Sequence, residues 1–186
     1  PETPLFHKGR SLYGLSQALT GERNEKKLIV TEGYTDVISL YQAGFDTCVS
    51  PLGTALTEEQ MQLIWRIARE PYLCFDGDAA GQRAAVRAAE RALPYLKPGH
   101  SLRFAILPEG EDPDSLIKAK GPGIIKEPFN NATSLSDMLW RLETSGQKLE
   151  TPEERAWLES RLRERAMQIH DETVRRHYHN DFKDRL

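Results

Sequence analysis

With 186 residues the chain has room for one medium domain, or one domain with an appendage, and an apolar content of 39% suits a folded globular protein. A net charge of −3 argues against this stretch alone being a strong electrostatic nucleic-acid binder. No apolar run approaches membrane-spanning length and no signal-peptide pattern opens the sequence, so no membrane partner is expected and the cytoplasm is the expected setting.

Residues 1–26 carry Phe6-His7-Lys8-Gly9-Arg10 and Leu12-Tyr13-Gly14-Leu15, then a polar run from Gly21 that reads as a loop. This is too short to fold alone and looks like a lead-in cut from something larger. Lys8 and Arg10 read first as solvated surface charge. Residues 28–31 form the first strand, apolar enough to be buried on both faces, and Glu32 ends it. A short helix over 36–43 places Val37, Leu40 and Tyr41 on one side, with Gly44 as its stop and Asp36 as favourable charge at its start. Residues 47–50 are a second strand. Pro51-Leu52-Gly53-Thr54 makes a tight loop, and Thr57-Glu58-Glu59-Gln60 matches a capping box for a helix that turns Met61, Ile64, Trp65 and Ala68 inward.

Residues 72–75 form the third strand, which delivers Asp76 and Asp78; an alanine-rich helix follows, with Val86, Ala89, Leu93 and Leu96 on its buried side. Residues 102–107 are the fourth strand, and Glu109-Gly110-Glu111-Asp112-Pro113-Asp114 comes after it. Pro113 fits the first position of a helix capped by Asp112, which leaves Asp114 spare. The two cysteines, Cys48 and Cys74, sit inside strand-like runs without CxxC spacing and read as buried free thiols. Strand and helix alternate four times over 27–122, the pattern of a mainly parallel, four-stranded α/β sheet flanked by helices. After residue 123 no further strand is expected. Residues 123–186 read as a small all-helical subdomain: one helix over 135–142, one opened by the Thr151 capping box that buries Trp157, Leu158, Leu162, Ala166 and Ile169, and one capped by Asp171. His170, His177 and His179 lack the pairing on one helix face that a metal site uses.

Acids therefore follow strands one, three and four. In open parallel sheets the ligand site lies outside the carboxyl ends of the strands, so these carboxylates face a common space. Several carboxylates in one place cannot all stay ionised without a cation, and a hard divalent ion with oxygen ligands suits phosphoryl chemistry. The plainer reading of Asp76 and Asp78 is a turn and a helix cap.

Glu32-Gly33-Tyr34-Thr35-Asp36, Phe75-Asp76-Gly77-Asp78-Ala79-Ala80-Gly81 and Glu111-Asp112-Pro113-Asp114-Ser115-Leu116, in this order and at these separations, resemble the Toprim domain, specifically that of bacterial replicative DNA primases. The lead-in and Ser50-Pro51-Leu52-Gly53-Thr54-Ala55-Leu56-Thr57 are similar to the same family. The resemblance implies a catalytic-core fragment of a DNA-directed RNA polymerase, which makes short RNA primers on single-stranded DNA by metal-dependent nucleotidyl transfer. It implies catalytic roles for Glu32, Asp76 and Asp78, Glu32 being a general acid or base or itself a ligand. Magnesium or manganese would be held by Glu32, Asp76 and Asp78, with Asp112, Asp114 and Asp36 on the same basin, and Lys8 would contact nucleotide phosphate. Thr35 stands where the family commonly has methionine. Residues 1–26 would join the amino-terminal half of the polymerase core, 27–122 would be the Toprim domain and 123–186 the helical subdomain. The full-length enzyme would engage template, ribonucleoside triphosphates and RNA primer in the bacterial cytoplasm; zinc would belong to a module absent from this chain, and a replicative helicase would bind a missing carboxy-terminal domain. The fragment alone is expected to be poorly active. A Toprim nuclease or topoisomerase piece, and a non-catalytic DNA-binding scaffold, are the alternatives.

Overall fold

A computed structural model describes residues 7–20, 27–53 and 55–186; residues 1–6, the expected polar loop at 21–26 and Thr54 lie outside them. The four expected strands form as β1 (Ile29–Val30), β2 (Cys48–Val49), β3 (Tyr72–Phe75) and β4 (Arg103–Ile106). They pair in parallel in the order β2-β1-β3-β4. Successive strand side chains point to opposite faces, and here each face has its own apolar layer. Val30, Val49, Leu73, Phe75 and Phe104 enter one, and Ile29, Cys48, Cys74 and Ala105 the other.

Helices cover both faces. A short α1 (Leu15–Thr20) comes first, then α2 (Tyr34–Gln42), α3 (Glu58–Ile67), α4 (Ala79–Ala92) and α5 (Pro113–Lys120). Met61, Ile64 and Trp65 of α3 and Ala88, Ala89 and Ala92 of α4 fill the first layer, while Val37 and Leu40 of α2 and Leu116 of α5 fill the second. The capping box at α3 forms as expected, Thr57 Oγ1 accepting the Gln60 N–H at 3.2 Å and Gln60 Oε1 accepting the Thr57 N–H at 3.0 Å. Gln60 is fully buried, and its Nε2 donates to the carbonyls of Lys8 at 2.9 Å and Ser11 at 2.8 Å, which docks the lead-in against α3.

After α5 come α6 (Lys126–Asn130), α7 (Leu135–Thr144), α8 (Pro152–Met167) and α9 (Glu172–Arg185). Arg165 ties these helices to α4: its Nε meets Glu143 Oε1 at 2.6 Å and its Nη1 meets Glu90 Oε1 at 2.6 Å, while Arg161 Nε reaches Glu143 Oε2 at 3.1 Å.

Four expectations need correction. The sheet has five strands, because β5 (Thr133–Ser134) pairs antiparallel with β4 within the stretch expected to be all helical; two residues are too few for alternation to be visible in a sequence. Trp157 is 45% exposed, since α8 turns Leu158, Leu162 and Ala166 inward at four-residue spacing and leaves its neighbour off that face. Tyr41 is 56% exposed for the same reason, Val37 and Leu40 alone facing the core. Val86 is only half-buried, because the alanines of α4 take the contact with the sheet.

Candidate metal centre

β2 lies between β1 and β3 in sequence but outside them in the sheet, so the winding reverses between β1 and β3. Such a switch point opens a crevice at the carboxyl ends of the two strands. Glu32 follows β1, Asp76 follows β3 and the 111–114 acids follow β4, so the three acid-bearing strands are neighbours and the acid-free β2 is outermost.

The loops after these strands are stitched together. Glu32 Oε1 accepts the backbone N–H of Asp76 at 3.1 Å, and the Gly77 N–H donates to the Glu111 carbonyl at 2.8 Å. Gly77 is required by close approach: a Cβ there would lie 1.8 Å from the Pro108 carbonyl oxygen. Gly81 is required likewise, its Cβ falling 2.1 Å from the Asp76 carbonyl oxygen, so the first turn of α4 sits directly against the loop that carries the acids.

Most of the acids already have partners. Asp78 Oδ1 accepts the N–H groups of Ala80 at 2.8 Å and Gly81 at 2.7 Å and so caps α4. Asp112 Oδ1 accepts the Ser115 N–H at 2.6 Å and caps α5, and Asp36 Oδ2 accepts the Gly33 N–H at 3.1 Å. Asp114 takes Lys118 Nζ at 2.6 Å and the Ser39 hydroxyl. Asp76 differs: its Oδ1 is buried with no hydrogen-bond partner.

The electrostatics single out the same residue. Burial pushes the Asp76 carboxyl up to about 7, and the charges of Glu32, Asp36, Asp112 and Asp78 add to the rise. Asp36 is pushed up to about 6, chiefly by burial and against the pull of the Gly33 N–H. Asp114 is lowered by its hydrogen bonds from Lys118 and Ser39. An unpartnered carboxylate oxygen among four other carboxylates is short of a cation, and the all-oxygen donor set fits a hard divalent ion. Among the described residues no three His, Cys, Asp or Glu side chains converge as a ready-made cage, the other acids being turned toward their own donors. Magnesium commonly takes only one or two carboxylates and fills its shell with waters and phosphate oxygens. Asp76, with Glu32 beside it, meets that smaller requirement.

Lys8 is half-buried on the segment docked to α3, and its ammonium has no acidic partner among the described residues. Two participants, Lys118 and Ser39, were not singled out in the sequence. The spacing of Asp114 and Lys118 on α5 is a readable signal; Ser39, 75 positions from Asp114, gives none. Nor does the bond from Gly77 to Glu111.

A model of the family described as Toprim-like matches residues 29–117, which contain all six of these acids. The DNA primase of Rickettsia bellii is 39% identical over 186 residues, which is 100% of this chain and 31% of that protein. A DNA primase domain from Pseudomonas aeruginosa shares the fold with a TM-score of 0.91 and 38% identity, over 99% of this chain and 58% of that one. The stretch 29–117 is Toprim-like, and the chain as a whole is similar to DNA primase catalytic cores. A DnaG primase catalytic domain bound to ssDNA is similar at a TM-score of 0.88 and 39% identity, and this chain covers 59% of it. The Toprim acids thus lie in a chain that spans 31% of its curated relative. No helix among the described residues is long and apolar enough to cross a membrane.

Proposed function

We propose that this chain is the metal-binding part of a primase polymerase core, acting in the bacterial cytoplasm in template-directed synthesis of RNA primers. The reaction joins a primer 3′ hydroxyl to the α-phosphate of a ribonucleoside triphosphate and releases pyrophosphate. The observation that carries this reading is Asp76 Oδ1, buried and unpartnered at the switch point of the sheet. Asp76 and Glu32 would hold magnesium or manganese, with Asp78 at the same rim and Asp36, Asp112 and Asp114 supplying the surrounding negative field. A divalent ion bound there supplies charge neutralisation and polarisation of phosphoryl oxygens.

The chain's own groups do the rest. Glu32 fixes the Asp76 backbone, and the caps made by Asp78 and Asp112 hold two helix starts at the rim. Lys8 is assigned to nucleotide phosphate on family likeness, and its fixed carbonyl limits where its side chain can reach. Single-stranded template, triphosphates and the growing primer are the partners this reading requires, and a replicative helicase would be met through segments outside this chain.

Manganese binding followed by electron paramagnetic resonance tests the reading. Asp76→Asn is expected to abolish the bound-ion signal in this chain while its circular dichroism stays unchanged, and to abolish primer synthesis in the full-length protein. Retention of manganese by Asp76→Asn would overturn it.

A further inference from the structure

On the exposed side of α4, Arg83, Arg87 and Arg91 recur every fourth residue. Residues at this spacing are neighbours along one helix ridge, about 6 Å apart in rise, so the three guanidiniums extend over roughly 12 Å of the axis. A run of surface charge is usually just a solvated face, but three arginines of α8 are treated differently. Arg161, Arg163 and Arg165 of α8 each have a glutamate partner. Arg83 and Arg87 have no acidic partner among the described residues, and Glu90, the one acid on α4, is turned away to Arg165. Arg91 serves as a post: its Nη1 donates to the Leu56 carbonyl at 2.6 Å and holds the loop that follows β2 against α4.

Between that loop and α4 lies a cavity of about 270 Å³, lined by Arg87 and Arg91 on one side, Gly53 and Leu56 on another, and Phe75 and Glu32 toward the acids. Arg87, without an acidic partner, therefore shares a cavity with Glu32 of the candidate metal centre, and Arg83 lies one turn nearer the Asp78 cap of α4, in a protein whose net charge is −3. A guanidinium fork matches phosphate oxygens bidentately. The step of about 6 Å from Arg83 to Arg87 equals that of about two phosphates along a stacked strand, at about 3.4 Å each.

We infer that Arg83 and Arg87, with Arg91 fixing the wall, form a track for the sugar-phosphate backbone of a nucleic-acid strand leading to the acidic rim. The inference rests on the proposed polymerase reading and adds a binding surface to it. The track reads no bases, because it touches only phosphates, so it holds strands of any sequence.

The test is the salt dependence of binding between the full-length protein and a fluorescein-labelled oligothymidylate, followed by anisotropy. Arg83→Gln with Arg87→Gln is expected to weaken binding and to make the plot of log affinity against log salt shallower by about 1.4, at about 0.7 for each single-strand phosphate that is no longer neutralised. Arg83→Lys with Arg87→Lys is expected to keep the slope, and Arg163→Gln on α8 to leave binding unchanged. An unchanged slope in the glutamine pair would overturn the inference, as would an equal weakening in Arg163→Gln. Weakened binding of fluorescent ATP with an unaltered oligonucleotide slope would also overturn it, by assigning the stripe to triphosphate. Manganese binding, measured on the same variants, is expected to be intact; if wild-type protein binds no manganese, it is the metal reading that fails and not the track.

Discussion

Glu32 and Asp76 are joined across the crevice where the sheet reverses its winding, the glutamate's Oε1 accepting the aspartate's backbone N–H at 3.1 Å. The bond positions Asp76 but leaves its carboxylate uncompensated. In protein stripped of metal, its folded-state value near 7 lies above the ordinary 3.8, so the folded protein keeps a proton that the unfolded chain releases. That contribution to stability is complete below about pH 4 and is lost as pH rises through about 7. Urea midpoints taken with chelator at pH 5 and pH 8 should therefore differ less in Asp76→Asn than in wild type. Glu32→Gln, which keeps an acceptor for the amide, should preserve the fold and narrow the window by removing one neighbouring charge.

Gly77→Ala should destabilise the protein by about 3 kcal/mol or more, at or beyond the upper end of overpacking costs, since its Cβ meets a backbone carbonyl that has no side-chain freedom to withdraw. Gly123→Ala, where a Cβ meets open space, should be nearly neutral. Thermal denaturation of the two variants separates close approach from a general intolerance of alanine.

Glu143 is 6% exposed and faces two guanidiniums. Glu143→Ala leaves the partly shielded Arg165 with Glu90 alone and should cost about 2 kcal/mol, the loss of a hydrogen bond between charged groups. Replacing Glu143 and Arg165 together by methionine should recover a substantial part of that stability in urea titrations.

Gln60→Leu keeps the bulk but removes the donor shared by Lys8 and Ser11. Leaving two carbonyls short of a donor should cost about 2 kcal/mol or more. It should also release the lead-in, so limited trypsin digestion should cut after Lys8 or Arg10 sooner than in wild type.

Cys48 and Cys74 are buried free thiols, and burial pushes Cys48 up to about 12 and Cys74 higher still. Thiolate is the reactive form. A thiol reagent at pH 8 should leave both untouched in the native protein and titrate both in urea.

The parallel strands, the caps at Thr57, Asp112, Thr151 and Asp171, and the acids at the strand ends were legible because each has a local signature: an apolar run, a cap spacing, a carboxylate at a boundary. The unpartnered oxygen of Asp76 was not. Asp78 and Asp112 spend an oxygen on helix N–H groups while Asp76 does not, and that difference depends on loops packed together from positions far apart. β5 escaped notice because it is two residues long, and Trp157 was misplaced because an aromatic and a leucine side by side on α8 compete for one inward position. The Arg83, Arg87 and Arg91 spacing could be read from the alanine-rich run, but the absence of acidic partners could not.

β5 also bears on where the chain can be cut. It covers part of the free margin of β4, whose N–H and C=O groups at Arg103 and Phe104 lie against Ser134 and Thr133. A truncation that stops at Gly121 would bare that margin beside the apolar layer, and an unpaired edge of this kind recruits strands from other molecules. Shortened versions for crystallisation or labelling should therefore run at least through α7, or they will be lost to self-association before the acids can be assayed.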